Sequence, residues 1–393
     1  MKGALFLGWR YLAFHRFKAT ILTASITLML FLPAATRLLV SDSAAALTAR
    51  ADQTPMIAGS KGSPLELALN SLYFHADQPP PMPFNLYREL RDSGLARAIP
   101  LHTRFHARNT PIVGTSLDYF SFRELQLASG RMIGMLGEAV LGANAAASQG
   151  LAVGDSIISS PETVFDIAGV YPLKMPIVGI LEPRGTADDE AIFVDFKTTW
   201  VIQGLGHGHQ DLEKPEARSA VLNRSDGMVT ANASVMEFAE ITAENIGNFH
   251  FHGANDEFPL NSVILLPPDE KSSTLLRGRY QKNDLGLQLI VPSEVLNALL
   301  DTVFTVQNYV VLGLIILGLA TIAVIMLVFI LSQQLRKGEF HTLSRIGASK
   351  SFIGTLIASE ILFVTFFSVL LAFALTLAVR QYALQILQLF LSL

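Results

Sequence analysis

Cysteine is absent from all 393 residues. That absence excludes disulfides, thiolate metal sites and cysteine nucleophiles together, and it leaves imidazole and carboxylate as the donors for any metal site. The G-x-x-x-x-G-K-[ST] phosphate loop is also missing, so ATP hydrolysis by this chain is not expected. Gly59-Ser60-Lys61-Gly62-Ser63 comes nearest, lacks the spacing, and reads as a glycine turn. Neither G-x-S-x-G nor H-E-x-x-H occurs, and the expectation is a non-catalytic chain. Long apolar runs are missing from residues 41–302, where basic residues are also scarce. Residues 37–302 hold 20 Lys and Arg against 31 Asp and Glu, a balance of −11, and nucleic acid is no expected partner.

The apolar runs that are present lie at 19–40, 303–333 and 352–379. A hydrocarbon core of ~30 Å takes about 20 helical residues to cross, so each run is long enough to span it. Lys2, Arg10, Arg16 and Lys18 precede the first run, and Arg336, Lys337, Arg345 and Lys350 lie between the second and third against Glu339 alone. Basic residues flanking spans stay cytoplasmic, which puts the acidic middle segment outside the cytoplasm. The mean hydropathy of +0.40 averages this polar middle with very apolar ends. The first run is too long for a cleaved signal and reads as a retained anchor, although Pro33-Ala34-Ala35-Thr36-Arg37 contains the small residues of a cleavage site.

The expected order is an amphipathic cytoplasmic helix over 1–18, spans at 19–40, 303–333 and 352–379, an outer domain over 41–302, a cytoplasmic turn over 334–351 and a tail over 380–393. In the first helix Leu5, Trp9 and Leu12 share one side, with Arg10 and Arg16 opposite. The tail would reach about 21 Å as a helix, short of a comfortable crossing. It is expected to lie at the outer interface, the alternative being a fourth span cut short.

Within the outer segment, short apolar runs alternate with turns and a few helical stretches, an α+β pattern rather than a doubly wound parallel one. MIAGSKGSPLELALNSLYF reads as strand, turn and helix, and EAVLGANAAASQGLAVGDSIIS as strand, helix, turn and strand. DIAGVYPL, MPIVGILE and AIFVDFKTTW are expected strands, and LNSVILLPP resumes the pattern. The core is expected at 41–200 and 258–302. Residues 201–257, rich in Gly, His, Asn and acids, read as an inserted subdomain with one helix near 233–245. The fold class is therefore an α-helical transmembrane bundle of three spans with a large α+β extracytoplasmic domain.

Four of the nine histidines fall in that insertion as two H-x-H pairs, His207 with His209 and His250 with His252, followed by Asp211, Glu213, Asp256 and Glu257. On a strand, residues i and i+2 share a face, so each pair could chelate a Zn²⁺ or similar ion. The competing reading is a flexible Gly-His-Gly-His loop and a His252-Gly253 turn. Glu360, a turn or two inside the third run, is expected to be functional or to pair with Lys350 or Arg345 near the interface.

Three stretches carry a resemblance. LFLGWRYLAFHRFKATILTASITLML, VLGANAAASQGLAVGDSI with IVGILEPRGTADDEAIFVDFKTTW, and LRKGEFHTLSRIGASKSFIGTLIASE are similar, in that order, to the first helix and span, the periplasmic core domain and the cytoplasmic turn of the MacB/FtsX/LolC group of ABC-transporter permeases. The resemblance covers nearly the whole chain, and it departs from the group's usual four spans. It implies a bacterial inner-membrane permease subunit, working as a homodimer with a separate cytoplasmic ABC ATPase that binds ATP and Mg²⁺. It also implies that ATP-driven movement is transmitted to the periplasmic domain to handle a periplasmic substrate, with an adaptor or outer-membrane channel as a further partner. The turn that docks on the ATPase would be Arg336, Lys337, Glu339, Arg345, Gly347, Ala348, Ser349 and Lys350. The alternatives are an FtsX-like regulator of a periplasmic enzyme or a component of a periplasmic zinc-handling complex.

Overall fold

A computed structural model describes residues 2–75, 77–160, 172–209, 221–225, 228–231, 238–280 and 286–391. The chain opens with helices α1 (Lys2–Phe14) and α2 (Arg16–Asp52). There follow β1 (Met56–Ser60), α3 (Pro64–Tyr73), β2 (Met82–Pro83), α4 (Phe84–Asp92), β3 (Arg97–Ala107), β4 (Thr110–Thr115), α5 (Leu117–Phe122), β5 (Leu127–Gly130), β6 (Ala139–Leu141), α6 (Ala143–Gln149), β7 (Ser156–Ile158), β8 (Lys174–Leu181), β9 (Ile192–Asp195) and α7 (Phe196–Ile202). Next come β10 (Gly206–Gly208), β11 (Val221–Ser225), β12 (Met228–Ala231), β13 (Phe249–Phe251), β14 (Pro259–Leu260), β15 (Ser262–Leu266), α8 (Glu270–Tyr280) and β16 (Leu287–Ile290). The chain closes with α9 (Pro292–Leu335), α10 (Lys337–Arg345) and α11 (Lys350–Leu391). Thr48–Asn297 form one compact unit, and Met1–Leu47 with Ala298–Leu393 form the other.

Among the described residues of the outer unit, ten strands make one mixed sheet in the order β16-β1-β15-β3-β4-β9-β6-β8-β5, with β7 also on β8. The β4–β9 and β6–β8 pairs are parallel and the others antiparallel. Both faces of this sheet are buried. Ile57, Ile99, Val113, Val140, Phe193 and Ile264 pack on one side with α3 and α5. Their neighbours Met56, Ala58, Ala98, Val263 and Leu265, and then Ile112, Ala139, Leu141, Ile192 and Val194, pack on the other. Strands covered on both faces read as near-continuous apolar runs rather than alternating ones, which is why MIA, AVL, AIFV and SVILL stand out in the sequence.

Two expected elements take a different form. AIFVDFKTTW is a strand only as far as Asp195, whose carboxylate accepts a hydrogen bond from the Lys197 N–H at 2.9 Å and starts α7. This is an N-cap function that outweighs the β-branched composition. Residues 238–245 are not helical. The Asn245 side chain accepts from the Thr242 N–H at 2.7 Å and donates to the Glu240 carbonyl at 2.9 Å, local bonds that compete with a helix for the same backbone groups. The rest of that expected helix, residues 233–237, and residues 166–171 of DIAGVYPL lie outside the described residues.

A buried ion pair ties the last turn of α2 into the outer unit. Arg50 donates from Nη1 to Asp188 Oδ2 at 2.6 Å and from Nη2 to Oδ1 at 2.8 Å, and Nη2 also donates to the Tyr119 hydroxyl at 2.6 Å. Tyr119 in turn donates to Asp188 Oδ1 at 2.7 Å. Burial pushes the Asp188 carboxyl up, but the hydrogen bonds and charge of Arg50, with Tyr119, outweigh it and hold the pKa below the ordinary carboxylate value.

In the other unit, α2, α9 and α11 are the helices long and apolar enough to cross a membrane among the described residues. Trp9 of α1 packs its ring against Phe363 and Phe367 of α11 at 5.7 and 5.8 Å. Polar contacts join α2 to α11: Thr27 Oγ1 donates to the Ser368 carbonyl at 3.3 Å, and Ser368 Oγ to the Thr23 carbonyl at 3.2 Å. Hydroxyl-to-carbonyl bonds of this kind join helices where apolar packing alone discriminates little. α11 runs unbroken past Arg380 to Leu391, so the tail continues the third apolar helix.

Replacing Asp188 with Asn leaves Arg50 charged, buried and half-paired, and should destabilise the outer unit by about 3–5 kcal/mol at neutral pH. The folded carboxyl titrates below its unfolded value of about 3.9, so its contribution is present above that pH and is lost as pH falls through the depressed folded value. Denaturant unfolding of the full chain can be followed through Trp200 in a Trp9→Phe background. The gap between wild type and variant should be wide at pH 7 and close below about pH 4. A gap that ignores pH would remove the charge of Asp188 from the explanation.

Candidate functional site

The two H-x-H pairs meet. β10 and β13 run antiparallel with Gly206 opposite Phe251, His207 opposite His250 and Gly208 opposite Phe249. The side-chain period of two places His207 and His250 on one face and the intervening residues on the other. His209 and His252 extend the histidine face diagonally. Ring centroids are 5.0 Å apart for His207–His250 and His209–His250, and 4.7 Å apart for His207–His252 and His250–His252. Candidate ligand nitrogens of His207, His209 and His250 all lie within 4.8 Å of one another.

The opposite face explains the glycines. A Cβ on Gly206 would sit 2.6 Å from the Phe251 ring, and one on Gly208 would sit 2.5 Å from the Phe249 ring. Each phenylalanine therefore lies over the bare backbone of the facing strand, and no other residue fits there. Phe251 continues into an aromatic cluster, 6.1 Å from Trp200 and 5.9 Å from Phe258. Gly-His-Gly-His is thus a strand with one apolar face closed by aromatic rings and one imidazole face, not a flexible loop. His252, just beyond β13, donates its N–H to the Leu205 carbonyl at 2.9 Å.

Among the described residues, no carboxylate belongs to the histidine cluster. Asp256 is paired with Arg88, and Asp211 and Glu213 lie outside the described residues. His250 Nδ1 is 3.2 Å from the Asn248 carbonyl. An Nδ1–H donated there leaves Nε2 with its lone pair, the arrangement of a metal-ligating histidine with its outer-shell partner. His102, by contrast, is buried in the sheet with Nδ1 2.7 Å from Thr199 Oγ1. Burial first, then Arg104, pushes its pKa down to about 3, so His102 is a neutral core residue.

The basic turn of the other unit is a short helix. α10 ends in a left-handed residue, Gly347 at φ +101°. The Gly347 N–H donates to the Ser344 carbonyl at 3.2 Å and the Ala348 N–H to the Leu343 carbonyl at 3.0 Å, the Schellman arrangement that glycine favours. Ser349 then caps α11, accepting from the Phe352 N–H at 3.1 Å. Lys337, Glu339, Arg345 and Lys350 lie on this exposed segment, whereas Arg336 turns inward. Its Nη1 donates to Glu360 Oε1 at 2.7 Å, its Nε donates to Glu339 Oε2 at 3.1 Å, and its guanidinium stacks 3.6 Å from the Tyr11 ring.

The partner of Glu360 is thus Arg336, and not Lys350 or Arg345. Glu360 stands ten residues into α11, about 15 Å along the axis from Lys350, while the end of α9 brings Arg336 level with it. The sequence reading also passed over Ile346, whose side chain is 76% exposed at the tip of the turn. A single isoleucine after a charged helix carries no periodicity and so gives no signal in sequence. A cleft of about 430 Å³ in the outer unit, with Ser116, Phe120, Met135, Asp195 and Phe251 among its walls, left no motif either.

Comparison with known proteins places this architecture. The MacB-like periplasmic core domain family matches residues 20–236. No curated protein sequence matches the chain. Among solved structures, the periplasmic region of MacB from Actinobacillus actinomycetemcomitans is similar at 10% identity and a TM-score of 0.34, over 63% of this chain and 92% of that one. The extracellular domain of the noncanonic ABC-type transporter YknZ from Gram-positive bacteria is similar at 11% identity and a TM-score of 0.32, over 60% of this chain and 99% of that one. With more than half of its length inside the family match, the chain belongs to the MacB-like periplasmic core domain family, the MacB/FtsX type of ABC-transporter permease.

Proposed function

We propose that the chain is the transmembrane subunit of an ABC system and relays the ATP-driven closure of a separate cytoplasmic ATPase to its own outer domain. The observation that carries this reading is α10: a short, exposed, basic helix closed by Gly347 and anchored at its root by Arg336 on Glu360 and Tyr11. A helix held that firmly at one end moves as a body when its free end is pushed, and rigid-body shifts of packed helices are an established means of long-range coupling. Family membership supports an ATPase partner, because this chain has no phosphate loop of its own. Ile346 supplies the apolar anchor for docking, with Arg345, Lys350 and the small residues Gly347, Ala348 and Ser349 around it. The subunit works as a homodimer in the inner membrane, crossing it by α2, α9 and α11 with the acidic domain in the periplasm. Its substrate is handled outside the membrane, since the spans carry few polar side chains from which to line a path.

Two measurements test this. The cysteine-free sequence allows single cysteines to be introduced without background. With a membrane-impermeant maleimide, Lys61→Cys should label in spheroplasts and Lys350→Cys only after permeabilisation; the reverse pattern would overturn the topology. For coupling, Ile346→Asp adds a charge at an exposed site with no strained backbone. It should reduce co-purification of the ATPase at least tenfold, about 1.4 kcal/mol or more of docking free energy, while protein level and membrane insertion stay unchanged. Full co-purification and full stimulation of the ATPase in that variant would reduce the turn to a charged anchor.

A further inference from the structure

The histidine face of the β10–β13 pair is not explained by the relay of force through α10, which belongs to the other unit. We propose that His207, His209 and His250, with His252 beside them, bind one borderline transition-metal dication of the Zn²⁺ class on the outer domain.

Four observations carry this. First, three ligand nitrogens already lie within 4.8 Å of one another. Metal–nitrogen bonds of about 2.1 Å in tetrahedral geometry set nitrogens about 3.4 Å apart, so rotation of the rings by about an ångström closes the site without moving the backbone. Second, the donors are imidazoles alone among the described residues. That set suits Zn²⁺, Cu²⁺ or Ni²⁺ and disfavours the hard ions Mg²⁺ and Ca²⁺, which need oxygen ligands. Third, the Asn248 carbonyl against His250 Nδ1 supplies the outer-shell bond that orients a ligating imidazole and leaves Nε2 for the ion. Fourth, the face is rigid for a reason independent of metal. Phe249 and Phe251 lock over Gly208 and Gly206, and Phe251 packs on Trp200 and Phe258. Histidines on an unsupported loop would have to be ordered by the ion itself; here the strands hold them in advance.

The surroundings also define the kind of site. His252 is exposed and His207 and His209 are only half-buried, so the ion meets solvent and keeps an accessible coordination position. The strands hold together by their own backbone ladder and aromatic packing. The ion is therefore exchangeable: chelation should empty the site without unfolding the outer domain, unlike a structural zinc whose removal unfolds its host.

The test uses the full chain in detergent micelles, purified without a histidine tag. Isothermal titration with Zn²⁺ should give one ion per chain with a Kd tighter than about 10 μM. Co²⁺ in its place should give the visible absorption of a four-coordinate site with imidazole ligands and one solvent position. Binding should raise the thermal transition, since an ion that binds only the folded state stabilises it, and EDTA should return that transition to the metal-free value with the protein still folded. The pairs His207→Ala with His209→Ala and His250→Ala with His252→Ala should each weaken binding at least tenfold, while His75→Ala with His106→Ala leaves it unchanged. The metal-free thermal transition of each variant separates lost ligands from lost fold, and the wild-type titration stands whatever the variants do. No saturable Zn²⁺ binding tighter than about 10 μM, or undiminished binding when all four histidines are replaced, would overturn the proposal.

Discussion

The buried Arg50–Asp188 pair is the interaction on which the docking of the last turn of α2 within the outer unit depends. Ion pairs removed from water need good geometry and further hydrogen bonds to stabilise, and here the carboxylate receives two guanidinium bonds and a tyrosine hydroxyl, while Arg50 Nε has no hydrogen-bond partner among the described residues. An apolar contact at the same place would permit the last turn of α2 to slide by a fraction of a turn at little cost. A bidentate guanidinium–carboxylate fork does not, because its two bonds fix both the distance and the plane of approach. Arg50, in the last turn of α2, is thereby held on the outer unit by a directional contact rather than a greasy one.

The membrane unit repeats the device at its other end. Arg336 closes α9, pairs with Glu360 of α11 and stacks on Tyr11 of α1, so that three helices meet at one guanidinium. The second carboxylate oxygen of Glu360 has no hydrogen-bond partner among the described residues, and the first is held by Arg336. Arg336 thus joins the root of α10 to both α11 and α1.

Much of the outer fold was legible because its signals are local. Strands buried on both faces announce themselves as apolar runs, Ser63-Pro64-Leu65-Glu66 opens α3 with Ser63 accepting from the Glu66 N–H at 3.3 Å, and Gly150 ends α6 in the left-handed region. The failures arose where a single polar side chain redirects the backbone. Asp195 turns a strand into a helix with one short side-chain bond, and Asn245 turns a helix into turns with two, none of which composition reveals. For the candidate sites, the H-x-H spacing told that each pair shares a face of a strand. It did not tell that the two strands would pair in register, because that depends on contacts more than forty residues apart in sequence. The Glu360 partner was illegible for the same reason, as was the inward turn of Arg336, whose neighbours Lys337 and Glu339 point to solvent.

The glycines beside the histidines turn this limit into an argument about sequence. Read alone, Gly206 and Gly208 lower the strand propensity of their segment and favour a loop. Read with Phe249 and Phe251, they become the condition for pairing, since each ring occupies the volume a Cβ would need. The same alternation that places ring over glycine on one face places imidazole beside imidazole on the other, so the two patterns are one constraint seen from two sides. Shifting the register by one residue would set phenylalanine against histidine on one face and glycine against histidine on the other, leaving the rings without their glycine seats and separating the two histidine pairs onto opposite faces. The aromatic face is thus what fixes the geometry of the histidine face.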